Sequence, residues 1–133
     1  MKLKISKPLV IVLVLILLIA GLIVVKRIKD SGPGPYDSFA QCLTDAGAKE
    51  YGAYWCPNCK TQKDMFENSW KYIAYIECST PGGKGQTKLC NDAGISNYPT
   101  WEFADGTRVE GVQEFVDLAD KTNCSVSDVS ALN

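Results

Sequence analysis

Residues 51–60 read YGAYWCPNCK, and the meaning of this stretch decides the fold. The run from 49 to 55 is short, aromatic and bounded, which predicts a strand. Pro57 follows at once, and a helix is predicted over 57–70, with Cys59, Phe66 and Trp70 at steps of seven and four on one apolar stripe. The two cysteines therefore fall where a strand hands over to a helix. Cys56 takes the N-cap and Pro57 the first helical position, where a missing N–H costs nothing. Unpaired backbone N–H groups and the positive end of the helix dipole favour a thiolate at Cys56. Cys59 lies one turn on, near enough for the sulfurs to bond, and as the start of the stripe it is expected to be the less exposed. Such a pair suits thiol–disulfide exchange: Cys56 attacks, a mixed disulfide forms with a partner, and Cys59 resolves it.

Two other readings of the pair stand beside this one. A zinc site would need Cys78 and Cys90, with eighteen residues between Cys59 and Cys78 and eleven between Cys78 and Cys90, a spacing unlike a metal knuckle. A purely structural disulfide would have no use for a nucleophile at a helix start. No metal and no cofactor is expected.

Outward from the motif, a helix is predicted over 36–46, with Asp37 or Ser38 as N-cap, Phe39, Cys42 and Leu43 on one face, and Gly47 as its stop. Residues 72–78 (YIAYIEC) form a second strand, largely apolar and therefore expected to be central. Residues 79–86 hold Pro81 and three glycines and read as a loop, followed by a short helix over 87–93 ended by Gly94. Strands at 100–104 and 107–110 flank Asp105-Gly106, a strong hairpin signal. A closing helix at 113–122 turns Phe115, Leu118 and Ala119 inward. The order α-β-α-β-α-β-β-α predicts a four-stranded mixed sheet flanked by helices, with the first two strands parallel and the hairpin antiparallel.

The chain has 133 residues, room for one domain. Residues 9–25 (LVIVLVLILLIAGLIVV) carry no charge and no recurring polar face. They are expected to cross a membrane, at the short end of what spans a bilayer. The run ends in Ile23-Val24-Val25-Lys26-Arg27, a poor cleavage site, so an uncleaved signal anchor over 1–30 is expected. Residues 31–37 then read as a linker, 38–124 as the domain and 125–133 as a tail. Lysines flank both ends of the span, so positive charge does not orient it.

Residues 31–133 hold eight Lys and Arg against fourteen Asp and Glu, a formal charge of −6. This argues against a nucleic-acid partner and against attachment to anionic lipid. The absence of histidine excludes Cys–His pairs and histidine bases. All six cysteines (Cys42, Cys56, Cys59, Cys78, Cys90 and Cys124) lie outside the apolar segment. An even, dense set of this kind suggests disulfides and an oxidising compartment. The two pairs Cys78–Cys90 and Cys42–Cys124 are the expected structural bridges, with the domain on the outer face of a cell (inner) membrane.

The segments YGAYWCPNCK (51–60), YIEC (75–78), GISNYPTWEF (94–103) and DGTRVEGV (105–112) together resemble the thioredoxin superfamily in order and spacing. More closely, the chain resembles the thioredoxin-like domain associated with bacterial vitamin K epoxide reductase homologues. The resemblance covers about 39–124. Cys-x-x-Cys alone is a weak signal; joined to Tyr98-Pro99-Thr100 at this distance it is specific. It implies a thioredoxin fold and a thiol–disulfide oxidoreductase acting on protein dithiols and disulfides, with a membrane quinone reductase of the vitamin K epoxide reductase type as partner. It implies that Pro99 is a cis-proline facing the Cys56–Cys59 pair, that Tyr98 contacts partner chains, and that Trp55, Pro57 and Asn58 belong to the contact surface. Glu50, six residues before Cys56, would be a buried acid that moves the proton of the resolving thiol; from the residues alone it is equally a strand-edge carboxylate facing water. Asn58 departs from the histidine often found at that place, which leaves the direction of electron flow open. A reductase fed from the cytoplasm and a redox-inactive binding module remain rival functions.

The cysteine distribution makes one expectation directly measurable. A reporter that works only outside the cytoplasm, fused after Asn133, is expected to be active; activity of a cytoplasm-only reporter at the same place would overturn the orientation.

Overall fold

A computed structural model describes residues 7–30 and 32–126. The leading residues 1–6, Ser31 and most of the expected tail lie outside the described residues. The chain divides into two units, 1–32 and 33–133. The first contains one helix, α1 (Lys7–Asp30), and its stretch Pro8–Arg27 has mean hydropathy 3.4 with nothing buried. Twenty residues rise about 30 Å. By length and composition this helix can cross a membrane.

The second unit contains α2 (Asp37–Asp45), β1 (Lys49–Gly52), α3 (Pro57–Phe66), β2 (Tyr75–Glu77), α4 (Lys88–Asp92), β3 (Thr100–Glu102), β4 (Arg108–Glu110) and α5 (Phe115–Thr122). A 3-10 helix, Glu67–Tyr72, joins α3 to β2. The sheet is four-stranded and mixed, in the order β2-β1-β3-β4: β1 and β2 are parallel, β1 and β3 antiparallel, β3 and β4 antiparallel. The hairpin turns at Asp105-Gly106, where Gly106 has φ 79° and Phe103 N–H bonds Thr107 O.

Alternation along β1 divides the core in two. One face carries Ala48, Trp101 and Phe103 against Phe39, Leu43, Phe66 and Leu118 from α2, α3 and α5. The other carries Tyr51 against Cys78, Cys90 and Ile95 beneath α4. Cys42 is bonded to Cys124 (Cα–Cα 5.9 Å) and Cys78 to Cys90 (5.6 Å).

Several expectations are corrected. Strand β1 ends at Gly52 rather than 55, because Ala53–Trp55 turn and Cys56 N–H bonds Ala53 O at 2.9 Å. Helix α3 stops at Phe66, since Glu67 adopts φ 49° and breaks the α pattern. Strand β2 is an edge rather than central: its three residues are half-buried or exposed, since β3 takes the other side of β1. Helix α2 is capped by Tyr36 without a side-chain bond; Asp37 lies inside its first turn and accepts from Gly34 N–H. Of the linker expected over 31–37, Tyr36 also bonds inward, its N–H donating to Ser69 Oγ.

The long covalent loop yields a stability prediction. The Cys42–Cys124 bond closes 82 residues of sequence, worth up to roughly 4–5 kcal/mol in the chain-entropy model. Replacing both cysteines by serine is expected to lower unfolding free energy by about 2–5 kcal/mol in urea titration.

Candidate active site

The site begins at the end of β1. Cys56 has extended backbone angles (φ −77°, ψ 122°) and caps α3, with Pro57 next in the first turn. The Cys59 N–H points at Cys56 Sγ at 3.4 Å. An orphan amide of the helix start thus faces the sulfur, where it stabilises negative charge. Across the gap, Tyr98-Pro99 is a cis peptide, and the Cys56 thiol donates to Tyr98 O at 3.6 Å. Pro99 is fully buried. Both thiols are free, and they are almost equally covered, at 6% and 5% exposure. Exposure therefore does not separate them as expected; their surroundings do.

Trp55 and Tyr54 stand exposed beside the thiols. The Trp55 indole N–H donates to Ser79 Oγ at 2.8 Å, and its ring meets Tyr98 edge-on at 6.1 Å. Gln86 holds this wall from behind, donating to Tyr98 Oη and to Ile95 O. Pro57 and Asn58 are exposed at the rim. Cys78 and Cys90, each joined to the other, are unavailable to a metal shared with Cys56 and Cys59.

Glu50 is fully buried, and neither carboxylate oxygen has a hydrogen-bond partner. Of the two readings left by the sequence, the water-facing one is excluded. Burial pushes its carboxyl up to about 8. Burial also pushes the Cys59 thiol up to about 12, reinforced by Cys56 and by the charge of Glu50 and opposed by the Ala53 backbone. At neutral pH both groups hold protons.

Three contributors escaped sequence reading. Gln62 is a fully buried amide that accepts from Gln113 N–H at 2.6 Å and donates to Gln113 O at 3.1 Å, fixing α3 to the segment before α5. A lone Gln inside an apolar stripe was the available signal. Gly52 leaves a gap: a Cβ there would lie 2.7 Å from the Tyr75 ring and 3.1 Å from Cys59 Sγ. Tyr75 lies against that gap, and no spacing in the sequence marks it.

No family model matches the chain. An Arabidopsis thaliana protein named thiol-disulfide oxidoreductase LTO1 is 38% identical over 108 residues, 77% of this chain. The chain spans 28% of that relative's length. The four-stranded mixed sheet with its flanking helices fits a thioredoxin-like fold.

The buried carboxyl sets a pH dependence. Its folded value, about 8, lies above the ordinary 4.5, so the folded state keeps a proton that the unfolded chain gives up. Glu50's contribution is fully present below about 4.5 and is lost as pH rises to about 8. In a background with Cys56 and Cys59 replaced by serine, Glu50→Gln is expected to flatten this decline. At pH 8 it is expected to add roughly 1–3 kcal/mol, less than the full shift because the buried amide lacks partners. Denaturation at pH 5 and pH 8 measures it.

Proposed function

We propose that this chain is a membrane-anchored thiol–disulfide oxidoreductase that works through Cys56 and Cys59. It passes disulfides between a quinone-coupled membrane reductase of the vitamin K epoxide reductase type and secreted proteins. Its domain stands on the extracytoplasmic side of the membrane, held by α1. The observation that carries the reading is the placement of Cys56 Sγ between the Cys59 N–H and the carbonyl of Tyr98, at the start of a proline-led helix.

The chemistry follows from that placement. In the donating direction a substrate thiolate attacks the Cys56–Cys59 disulfide at Cys56. The Cys56–Cys59 bond breaks, a bond between Cys56 and the substrate forms, and Cys59 leaves with the electron pair and takes up a proton. A second substrate thiolate then displaces Cys56, so the substrate is oxidised and the pair reduced. The membrane reductase reoxidises the pair. Glu50 supplies the proton that Cys59 takes up on leaving, and in the reverse direction accepts the Cys59 proton once its own has passed to water, burial having raised both groups. Trp55 and Tyr98 offer aromatic surface beside the reacting sulfur, with Pro57 and Asn58 at its edge.

Trapping tests this reading. With Cys59→Ser, partner proteins are expected to remain bonded to Cys56, and Cys56 is expected to be alkylated first after mild reduction. Mass mapping that found Cys59 labelled first would overturn the roles. Asn58 contributes a neutral amide at the rim, so the potential is expected to fall between roughly −270 and −120 mV. Asn58→His is expected to raise it, with about 30 mV corresponding to 1.4 kcal/mol; equilibration with glutathione measures both proteins.

A further inference from the structure

Glu50 poses a transport problem. A carboxyl with no exposure and no hydrogen-bond partner can exchange a proton with Cys59, but it must also exchange one with water. The surroundings of Gly52 offer a route. The β1–β2 register pairs Glu50 with Tyr75 and Gly52 with Glu77, so these side chains share one face of the sheet. Where Gly52 lacks a side chain, Tyr75 Oη and Cys59 Sγ converge, each 3.1 Å from the same point. The Tyr75 hydroxyl donates to Glu77 Oε2 at 2.9 Å, and Glu77 is exposed. Its other oxygen accepts from Ser79 N–H at 2.7 Å and Tyr54 N–H at 3.3 Å, which fixes the carboxylate. Trp70 packs on the Tyr75 ring at 5.6 Å and holds the phenol in place.

A cavity of about 370 Å³ opens on this side, with Cys59, Tyr75 and Glu77 in its wall. Tyr98 is not in its lining. Glu50 is buried and outside its lining, and Tyr75, its register partner on β2, is in the wall.

We propose that Tyr75 and Glu77 form the path by which the proton exchanged between Cys59 and Glu50 passes to and from solvent through this cavity. The inference rests on the exchange chemistry proposed above. In the resolving step Cys59 Sγ bonds Cys56 Sγ, the bond from Cys56 to its partner sulfur breaks, and the partner leaves with the electron pair. Glu50 first gives its own proton by way of the Tyr75 hydroxyl and Glu77 to water, and the Cys59 proton then moves to the carboxylate so freed. Tyr75 is a positioning residue here, because it acts through Glu50 and Cys59. The ionisable groups facing it are Glu50 from β1, Cys59, Lys60, Lys63 and Asp64 from α3, Tyr54 from the preceding turn, and Glu77 on its own strand. Lys60 and Asp64 are paired with each other. Burial first, then the bond to Glu77, raises the Tyr75 hydroxyl, so it serves as a neutral donor and acceptor rather than as an ion.

The full chain in detergent, with Cys56 and Cys59 reduced under conditions that spare the two structural disulfides, is mixed with an aryl disulfide. The first aryl thiolate marks attack by Cys56; the second marks resolution by Cys59. The two cysteines are oxidised to a disulfide while the aryl disulfide is reduced to two thiolates. Tyr75→Phe keeps the ring and its packing on Trp70. It is expected to slow the second phase about tenfold near pH 6–7, with the first phase unchanged. The gap is expected to close as pH rises and when a small buffer base such as imidazole is added. Glu77→Gln, on the surface, is expected to slow the same phase with the same rescue. A second phase at the parent rate in both variants, or a slow phase that buffer does not rescue, would overturn the proton path. Loss of the first phase in the parent chain would instead overturn the exchange reading itself.

Discussion

Strand β1 is hydrogen-bonded on both edges, and the rest of the domain depends on that double pairing. Four residues, Lys49–Gly52, lie between parallel β2 and antiparallel β3. Their alternation assigns four tasks. Lys49 points to Glu102, which also receives Arg108, so a small ion-pair cluster closes this edge of the ladder. Tyr51 seals the face beneath α4. Glu50 and Gly52 face α3, one as a carboxyl without solvent and one as a space without a side chain. A slip of one residue would exchange these faces and would place Tyr51 where Cys59 and Tyr75 now meet.

The junction after β1 inherits its precision from that strand. Because Gly52 O accepts from Cys78 N–H at 2.8 Å, the chain is held to the last ladder position before it turns. Ala53 then accepts the Cys56 N–H, and Cys56 O accepts from Lys60 N–H at 3.1 Å. Three bonds within a few residues convert strand to helix, and the thiol emerges at the helix end with an amide aimed at it. Gln62 extends the constraint one turn further by fixing α3 to the Gln113 backbone.

The architecture was legible where chain chemistry is local. A proline after Cys56, a glycine after Asp105 and the 3.6-residue stripes specified the strand–helix junction, the hairpin and the helices from neighbours in sequence. What escaped was set by partners far along the chain. The apolar run 72–78 reads as an interior strand, yet Tyr75 lies half-buried against Trp70 and the rim of a cavity, because β3 claims the inner place. The α3 stripe predicts a helix to Trp70, yet Glu67 turns the backbone to φ 49° and a 3-10 helix carries Trp70 over Tyr75. The site shows the same division. The thiols and the Tyr98-Pro99 dipeptide stand out as motifs. Glu50 could be read two ways, because nothing local reports whether a carboxyl on a four-residue strand is covered. Gly52, Tyr75 and Glu77 matter through the register of β1 on β2 and the approach of α3, and Gln62 through Gln113.

Those long-range contacts distinguish two sulfurs that are buried almost equally. Cys56 faces a backbone amide, a carbonyl and the exposed aromatics Tyr54 and Trp55. Cys59 faces the gap at Gly52, the Tyr75 hydroxyl and a carboxyl that holds its proton. Desolvation acts against charge on Cys59, the sulfur beside the gap. Its deprotonation during exchange requires a proton acceptor beside it. In the exchange proposed above that acceptor is Glu50, two residues before the gap on the same strand, so attack and resolution are separated by what each sulfur faces rather than by how deeply it lies.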